Sequence, residues 1–206
     1  MSAQLIIIGA GGHAKVCYEI AEFMNQWSEI TILDDKSEND FFKISGPIST
    51  FTDYPDADFF VAIGSNDVRR RFYEMIIEKQ YNLATLIHPS STISKSTEIG
   101  YGTVIMPGVI VNSNTVVGNG VILNTAVTVD HDNIINDYVH ISPGSHLAGN
   151  VVVGEESWIG MGTNIINNIG IKKDIIVGSS SNVVDNLSDP GLYYGNPAKF
   201  RKERQV

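Results

Sequence analysis

Residues 93–129 run ISKSTEIGYGTVIMPGVIVNSNTVVGNGVILNTAVTV. Read at every sixth position, this stretch and its continuation give Ile93, Ile99, Ile105, Val111, Val117, Leu123, Val129, Ile135, Ile141, Leu147, Val153, Ile159, Ile165, Ile171, Val177 and Val183. All sixteen are aliphatic, with no slip in register. Four places after each, most hexads carry a small or β-branched residue, such as Thr97, Thr103, Val109 and Ser145. The residue immediately after is often Gly or Asn, as at Gly100, Asn112, Gly118 and Asn124. A period of six fits neither the 3.6 of a helix nor the two of a strand. It is the hexapeptide pattern of a parallel β-helix. Each hexad supplies a short strand, whose aliphatic residue points inward, and a corner, whose Gly or Asn tolerates left-handed backbone. Three hexads close a triangular coil, so the run predicts about five coils with no long loop inserted.

The residues before this run read differently. Gln4–Ile8 is a short apolar strand followed by the turn Gly9-Ala10-Gly11-Gly12-His13. A helix is expected from Ala14 to about Gln26, with Val16, Ile20, Phe23 and Met24 on one face. A second strand, Ile30–Leu33, ends at Asp34-Asp35. Glycines after a first strand, with acids about twenty positions on, give the geometry of half a Rossmann unit. The glycines let backbone amides approach a phosphate at a helix N-terminus. The motif is not a full G-x-G-x-x-G, because position 14 is Ala. Lys36 to Tyr54 is polar and reads as a loop with a short element. A third strand, Phe59–Ile63, ends at Gly64-Ser65-Asn66, a second helix covers Asp67–Lys79, and a fourth strand is expected over Leu83–Ile87. The expected division is an α/β domain over 1–88, a β-helix over 89–186 and a tail over 187–206 flanking the last coil. That tail holds Lys199, Arg201, Lys202 and Arg204.

The 206-residue chain is 43% hydrophobic with a formal charge of −9. This balance argues against nucleic acid or an anionic membrane surface as a general partner. One cysteine, Cys17, leaves no internal disulfide framework and fits a reducing compartment. No apolar run reaches membrane-spanning length and no leader pattern opens the chain, so a cytoplasmic protein is expected.

The chemistry-bearing residues concentrate around His131, which is flanked by Asp130 and Asp132. A carboxylate beside an imidazole raises its basicity and fixes its tautomer, which suits a general base near neutral pH. His140 lies nine residues on, half of an eighteen-residue coil. The two therefore stand apart on one prism and share a site only if a neighbouring chain supplies one of them. A homotrimer of parallel prisms is the expected assembly. No G-x-S-x-G supports a serine nucleophile. His140 and His146 face different sides of the prism, so no histidine metal site is expected.

In order, the residues Gly9-Ala-Gly-Gly-His13-Ala-Lys15, Leu33-Asp-Asp35, Ala62-Ile-Gly64, the hexads with Asn124 and His131, and Gly195-Asn-Pro-Ala-Lys199 carry a resemblance. The chain resembles the sugar O- and N-acyltransferases, among them the sialic acid O-acetyltransferases and the bacterial UDP-4-amino-sugar N-acetyltransferases of bacillosamine synthesis. The resemblance implies a trimeric left-handed β-helix that uses acetyl-CoA, with a nucleotide-linked amino sugar held by the N-terminal domain. It implies His131 as general base, supported by the next residue, here Asp132 where close relatives carry Glu, with Asn124 alongside. It places His140, Met161 and Ser179 against the cofactor, and Gly11, Gly12, His13, Asp34, Asp35, Gly64 and Asn66 on the substrate side. O-acetylation of a sugar hydroxyl and a non-catalytic trimeric scaffold or sensor are the alternatives at this stage.

Overall fold

The apolar segment Gln4–Ile8 (β1) is the centre of a parallel sheet in the computed structural model, which describes residues 4–36 and 40–203. Around it stand Glu29–Leu33 (β2), Ile44–Gly46 (β3), Asp58–Val61 (β4) and Asn82–Leu83 (β5), in the order β3-β2-β1-β4-β5. Leu5, Ile6, Ile7 and Ile8 are all buried, as a strand covered on both faces requires. The helices are Gly12–Met24 (α1) and Asn66–Glu78 (α2). The chain order reverses between β1 and β4, so the crevice beyond their C-terminal ends is a topological switch point. Within the expected polar loop, Ile48 and Phe51 fold a 3₁₀ turn, Ile48–Asp53, against the sheet.

Of the expected helix face, Ile20 is buried and Val16 and Met24 pack against the core, whereas Phe23 departs from it. Ala14, Cys17, Ile20 and Ala21 line the buried side of α1, while Phe23 is 64% exposed and meets the His88 ring edge to face at 5.3 Å. The strand expected over 83–87 is also two strands. Asn82–Leu83 closes the α/β sheet, whereas Leu86–Ile87 pairs with Val104–Ile105 as the first rung of the β-helix.

From Leu86 to Val183, seventeen short strands stack into three parallel sheets, nearly six coils. The chain is a left-handed β-helix, and fourteen of the sixteen expected inward residues are at most 2% exposed. Ile93 and Ile99 are half-buried because they stand at the open first coil. The corners correct one expectation. Positive φ falls on the third residue after each aliphatic, at every sixth position from Gly102 to Ser180, and not on the first. Asn and Asp take this conformation with little strain, whereas Ala126, Tyr138 and Glu156 hold it through the stacked coils. The glycines directly after the aliphatic serve close packing instead. A Cβ at Gly160 would lie 2.5 Å from the Val177 carbonyl oxygen of the next coil.

The tail extends the prism. Gly191–Gly195 pairs in parallel with Ile175–Val177, and Ala198–Lys202 pairs antiparallel with it. Arg204 lies outside the described residues.

The two parts meet on one face of the prism, whose outward column is Leu86, Val104, Ile122, His140, Trp158 and Ile176. The first three are at most 1% exposed and share a core with Ala14, Cys17 and Ile20 of α1. Arg69 of α2 fastens this joint. Its Nε donates to Gly120 O, one terminal nitrogen to Ile63 O and Gly64 O, and the other to Tyr138 O and Asn66 Oδ1, at 2.8–3.1 Å. All five N–H donors of the guanidinium are satisfied. Asn66 Nδ2 continues to Glu156 O at 2.9 Å.

Arg69→Lys supplies three donors where five acceptors wait. It should destabilise the protein by on the order of 3 kcal/mol, read as a lower denaturation midpoint. A midpoint equal to wild type would show that this joint does not hold the two parts together.

Candidate active site

His131 stands on the corner between the strands Thr128–Val129 and Ile134–Ile135. Asp132 follows in the left-handed region, with φ of 59°. That backbone turns its short carboxylate back toward the ring, and His131 Nδ1 lies 2.7 Å from Asp132 Oδ2. The shorter acid thus reaches the imidazole. Asn114, one coil below, donates to Asp132 Oδ1 at 3.2 Å and holds the other oxygen. With Nδ1–H donated to the carboxylate, Nε2 is the acceptor, the tautomer a base requires. The Asp132 hydrogen bond, helped by the charges of Asp130 and Asp132, raises the His131 pKa above its ordinary value. The ring lies flat over Gly149, one coil above. A Cβ there would meet Cε1 at 2.5 Å and Nε2 at 2.6 Å.

His140 occupies a different face, as the half-coil spacing predicts. It is the point on the outward column where the cover of the N-terminal domain ends. Above it a cavity of about 370 Å³ opens, lined by His140, Trp158, Ile176, Glu156 and the α2 entry Gly64–Asp67. Trp158 stacks on the His140 ring at 5.8 Å with planes 9° apart, and its Nε1 donates to Ser142 Oγ at 2.8 Å. Asn124 Oδ1 accepts the Thr125 amide, which turns its Nδ2 toward His140 Nε2 at 3.2 Å. His140 therefore carries its proton on Nδ1. Among the described residues that nitrogen is buried without a partner of hydrogen-bond geometry, although the Gly64 backbone lies near enough to favour the charged ring slightly. Burial, then the charge of Arg69 and then His13, push the His140 pKa down to about 3. Burial and Arg69 likewise push His13 down to about 4. Both rings are neutral at physiological pH.

The remaining candidates fall into three groups. Gly11 and Gly12 are exposed at the start of α1, with open space where a Cβ would stand. Asp34 braces that turn, accepting the Ala10 amide at 2.7 Å and the Lys36 amide at 2.8 Å, while exposed Asp35 accepts the Ile48 amide at 3.0 Å. Gly64 lies at the crevice, and the Asn66 side chain is engaged in the joint with Arg69 and the Glu156 carbonyl. Met161 and Ser179, eighteen residues apart, are exposed on one prism edge that runs upward from Asn124 past Gly160 and Gly178. Asn124 thus meets His140 and not His131 of the same chain. Sequence reasoning passed over Arg69 and Trp158. A charge in an amphipathic helix reads as surface, and an outward Trp reads as exposed wall.

The sequence matches the family model described as the PglD N-terminal domain over residues 4–76. The acetyltransferase domain of PglB from Neisseria gonorrhoeae FA1090 superposes with a TM-score of 0.93 at 38% identity, covering 96% of this chain and 99% of that one. A histidine-to-alanine variant of GDP-perosamine N-acetyl transferase from Caulobacter crescentus, in complex with CoA and GDP-perosamine, superposes with a TM-score of 0.93 at 32% identity, covering 98% and 99%. The UDP-N-acetylbacillosamine N-acetyltransferase of Bacillus subtilis (strain 168) is 38% identical over 103 residues, 47% of this chain. That match spans about half, 48%, of the length of this curated relative. Fold and site together define a hexapeptide-repeat transferase with an appended α/β domain, and the chain belongs to the family of sugar N-acetyltransferases that includes the PglB domain.

Asp132→Asn removes the charge that raises the His131 pKa. In a histidine-resolved NMR titration His131 should then titrate at lower pH than in wild type; an unmoved titration would show that the pair does not form in solution. Gly149→Ala should displace the ring and give the same downward shift, with the fold retained.

Proposed function

We propose that this protein is an acetyl-CoA-dependent N-acetyltransferase. Its acceptor is the amino group of a nucleotide-linked 4-amino-dideoxy sugar, UDP- or dTDP-linked, in bacterial surface glycan or glycoprotein synthesis. The observation that carries this reading is the His131–Asp132 pair, an exposed imidazole whose Nδ1 is held by a carboxylate so that Nε2 is left as the base. The relatives lend support through the ligands their structures hold. The PglB domain has been solved in complex with acetyl coenzyme A, and the perosamine enzyme with CoA and GDP-perosamine.

The neutral amine attacks the thioester carbonyl while His131 Nε2 takes its proton. The C–S bond breaks, and the imidazolium returns the proton to the leaving thiolate. The developing oxyanion needs a donor, which a backbone amide can supply, since His140 Nδ1 is buried and its Nε2 accepts from Asn124. The long donor fits the edge through Gly160 and Gly178, where side chains are missing and Met161 and Ser179 stand alongside. The acceptor nucleotide fits the crevice of Gly11, Gly12, His13 and Gly64, with Asp34 and Asp35 at the end of β2. Holding both substrates on one rigid wall makes their encounter effectively unimolecular.

His131 and His140 lie on different faces, so the reading requires a second copy to complete the site. A stripe of Val116, Ile134 and Val152, 37–44% exposed on the third face, supplies an apolar surface for it. The functional unit is accordingly a homotrimer with active sites between subunits. Among the described residues no helix is long and apolar enough to cross a membrane, and we place the enzyme in the cytoplasm beside its acetyl-CoA.

With acetyl-CoA and a nucleotide-linked 4-amino sugar, thiol release should be fast, and with free sialic acid it should be absent. His131→Ala should lower kcat by about 10²–10⁴-fold. Because a base must be deprotonated, the wild-type rate should fall as pH drops through the raised His131 pKa. Full turnover in His131→Ala, or thiol release with sialic acid alone, would overturn this assignment.

A further inference from the structure

The interior position four residues after each inward aliphatic holds only Thr, Ser, Val or Ile from Thr97 to Ser181, with one exception, Asn133. Asn133 is fully buried, and it sits on the corner that carries His131. Two hydroxyl members of this column show what a polar side chain does there. Thr103 donates to Gly118 O at 2.8 Å, fifteen residues on, and accepts the Val121 amide at 3.0 Å, eighteen residues on. Ser157 repeats the stitch with Lys172 O at 2.9 Å and the Ile175 amide at 3.1 Å. At these positions one donor and one acceptor tie a coil to the next.

Asn133 makes that same stitch with its amide. Nδ2 donates to Ala148 O at 3.0 Å, and Oδ1 accepts the Val151 amide at 2.8 Å. A carboxamide has a second N–H that a hydroxyl lacks. That hydrogen points back into the corner, to Asp130 O at 2.7 Å, with His131 O at 3.4 Å. The side chain thus clamps the backbone on both sides of His131, and through Val151 ties it to the coil whose Gly149 supports the ring. A Thr at 133 could make the stitch but not the bonds to Asp130 O and His131 O, and Asp130 O would keep only the hydroxyl of Thr115 from the coil below, at 2.9 Å.

We propose that Asn133 is a positioning residue for His131, fixing the corner so that the imidazole stays on Asp132 and over Gly149. This deepens the acetyl-transfer reading and rests on it for its kinetic consequence. The titratable groups facing His131 are Asp130 and Asp132, both on its own corner. The corner below, 112–115, and the corner above, 148–151, carry Asn, Ser, Thr, Ala, Gly and Val alone.

The test is Asn133→Thr in the 206-residue chain, which retains the stitch and removes the clamp. His131 is titrated by NMR without either substrate, so the result does not depend on the acetyl-transfer reading. Its pKa should fall toward the unperturbed value while the thermal midpoint stays near wild type. With substrates, kcat should fall about ten-fold at unchanged KM, and the acid limb of the pH profile should move to lower pH. A His131 titration identical to wild type overturns the proposal, whatever happens to the rate. Asn133→Ser repeats the design should Thr crowd the interior. If neither hydroxyl variant folds, the amide is a structural strut of the prism and the proposal falls. Absence of turnover in wild type with every amino-sugar acceptor would remove the functional reading but leave the titration to decide this one.

Discussion

A buried guanidinium decides how this molecule is put together. Taking a charge out of water is costly unless every donor finds a partner, and Arg69 finds five. All are oxygens without formal charge, from both parts of the chain. Burial lowers its pKa to about 10, which still leaves it charged at neutral pH. The positive charge therefore persists inside the joint and acts on its surroundings. It helps to keep His13 and His140 neutral. One side chain thus fastens the α/β domain and adds to the burial that keeps the crevice histidines neutral.

The crevice follows from the regularity of the wall. On the covered face the outward residues run from Leu86, Val104 and Ile122 to His140, Trp158 and Ile176 without a change of register. Chemistry changes along this column where the covering domain ends. Below that point the residues are packed aliphatics, and above it they face a cavity. The same backbone serves as core and as binding surface, and the difference lies in what covers it.

This explains which parts of the protein were legible in the sequence. The inward residues obey a local rule, since each buries itself in its own coil, and the period of six reports them directly. The glycine turn, Asp34 and Gly64 were legible because a turn and strand ends have local signatures. His131 was legible through its acidic neighbours, and its separation from His140 through simple counting. Phe23, Arg69 and Trp158 were not, because their environments depend on what the other half of the chain brings to them. Asn133 lay in plain view as a break in its column, but its meaning needed the carbonyls it reaches. The placement of positive φ was misjudged because glycine was read as freedom of the backbone, whereas at Gly160 it provides clearance for the next coil.

The wall is also modular in a way that bears on how such a molecule diversifies. Adjacent strands lie about 4.8 Å apart, so each coil raises the prism edge by that step. Met161 and Ser179 are one step apart, and Pro143 lies one step below Met161. Removing or duplicating eighteen residues between them would preserve every inward aliphatic, every corner and the outer stripe. It would change only the height of the wall above Asn124. A chain built this way can lengthen or shorten its reach along a thin ligand in discrete increments, without redesigning a single side chain at the reacting corner.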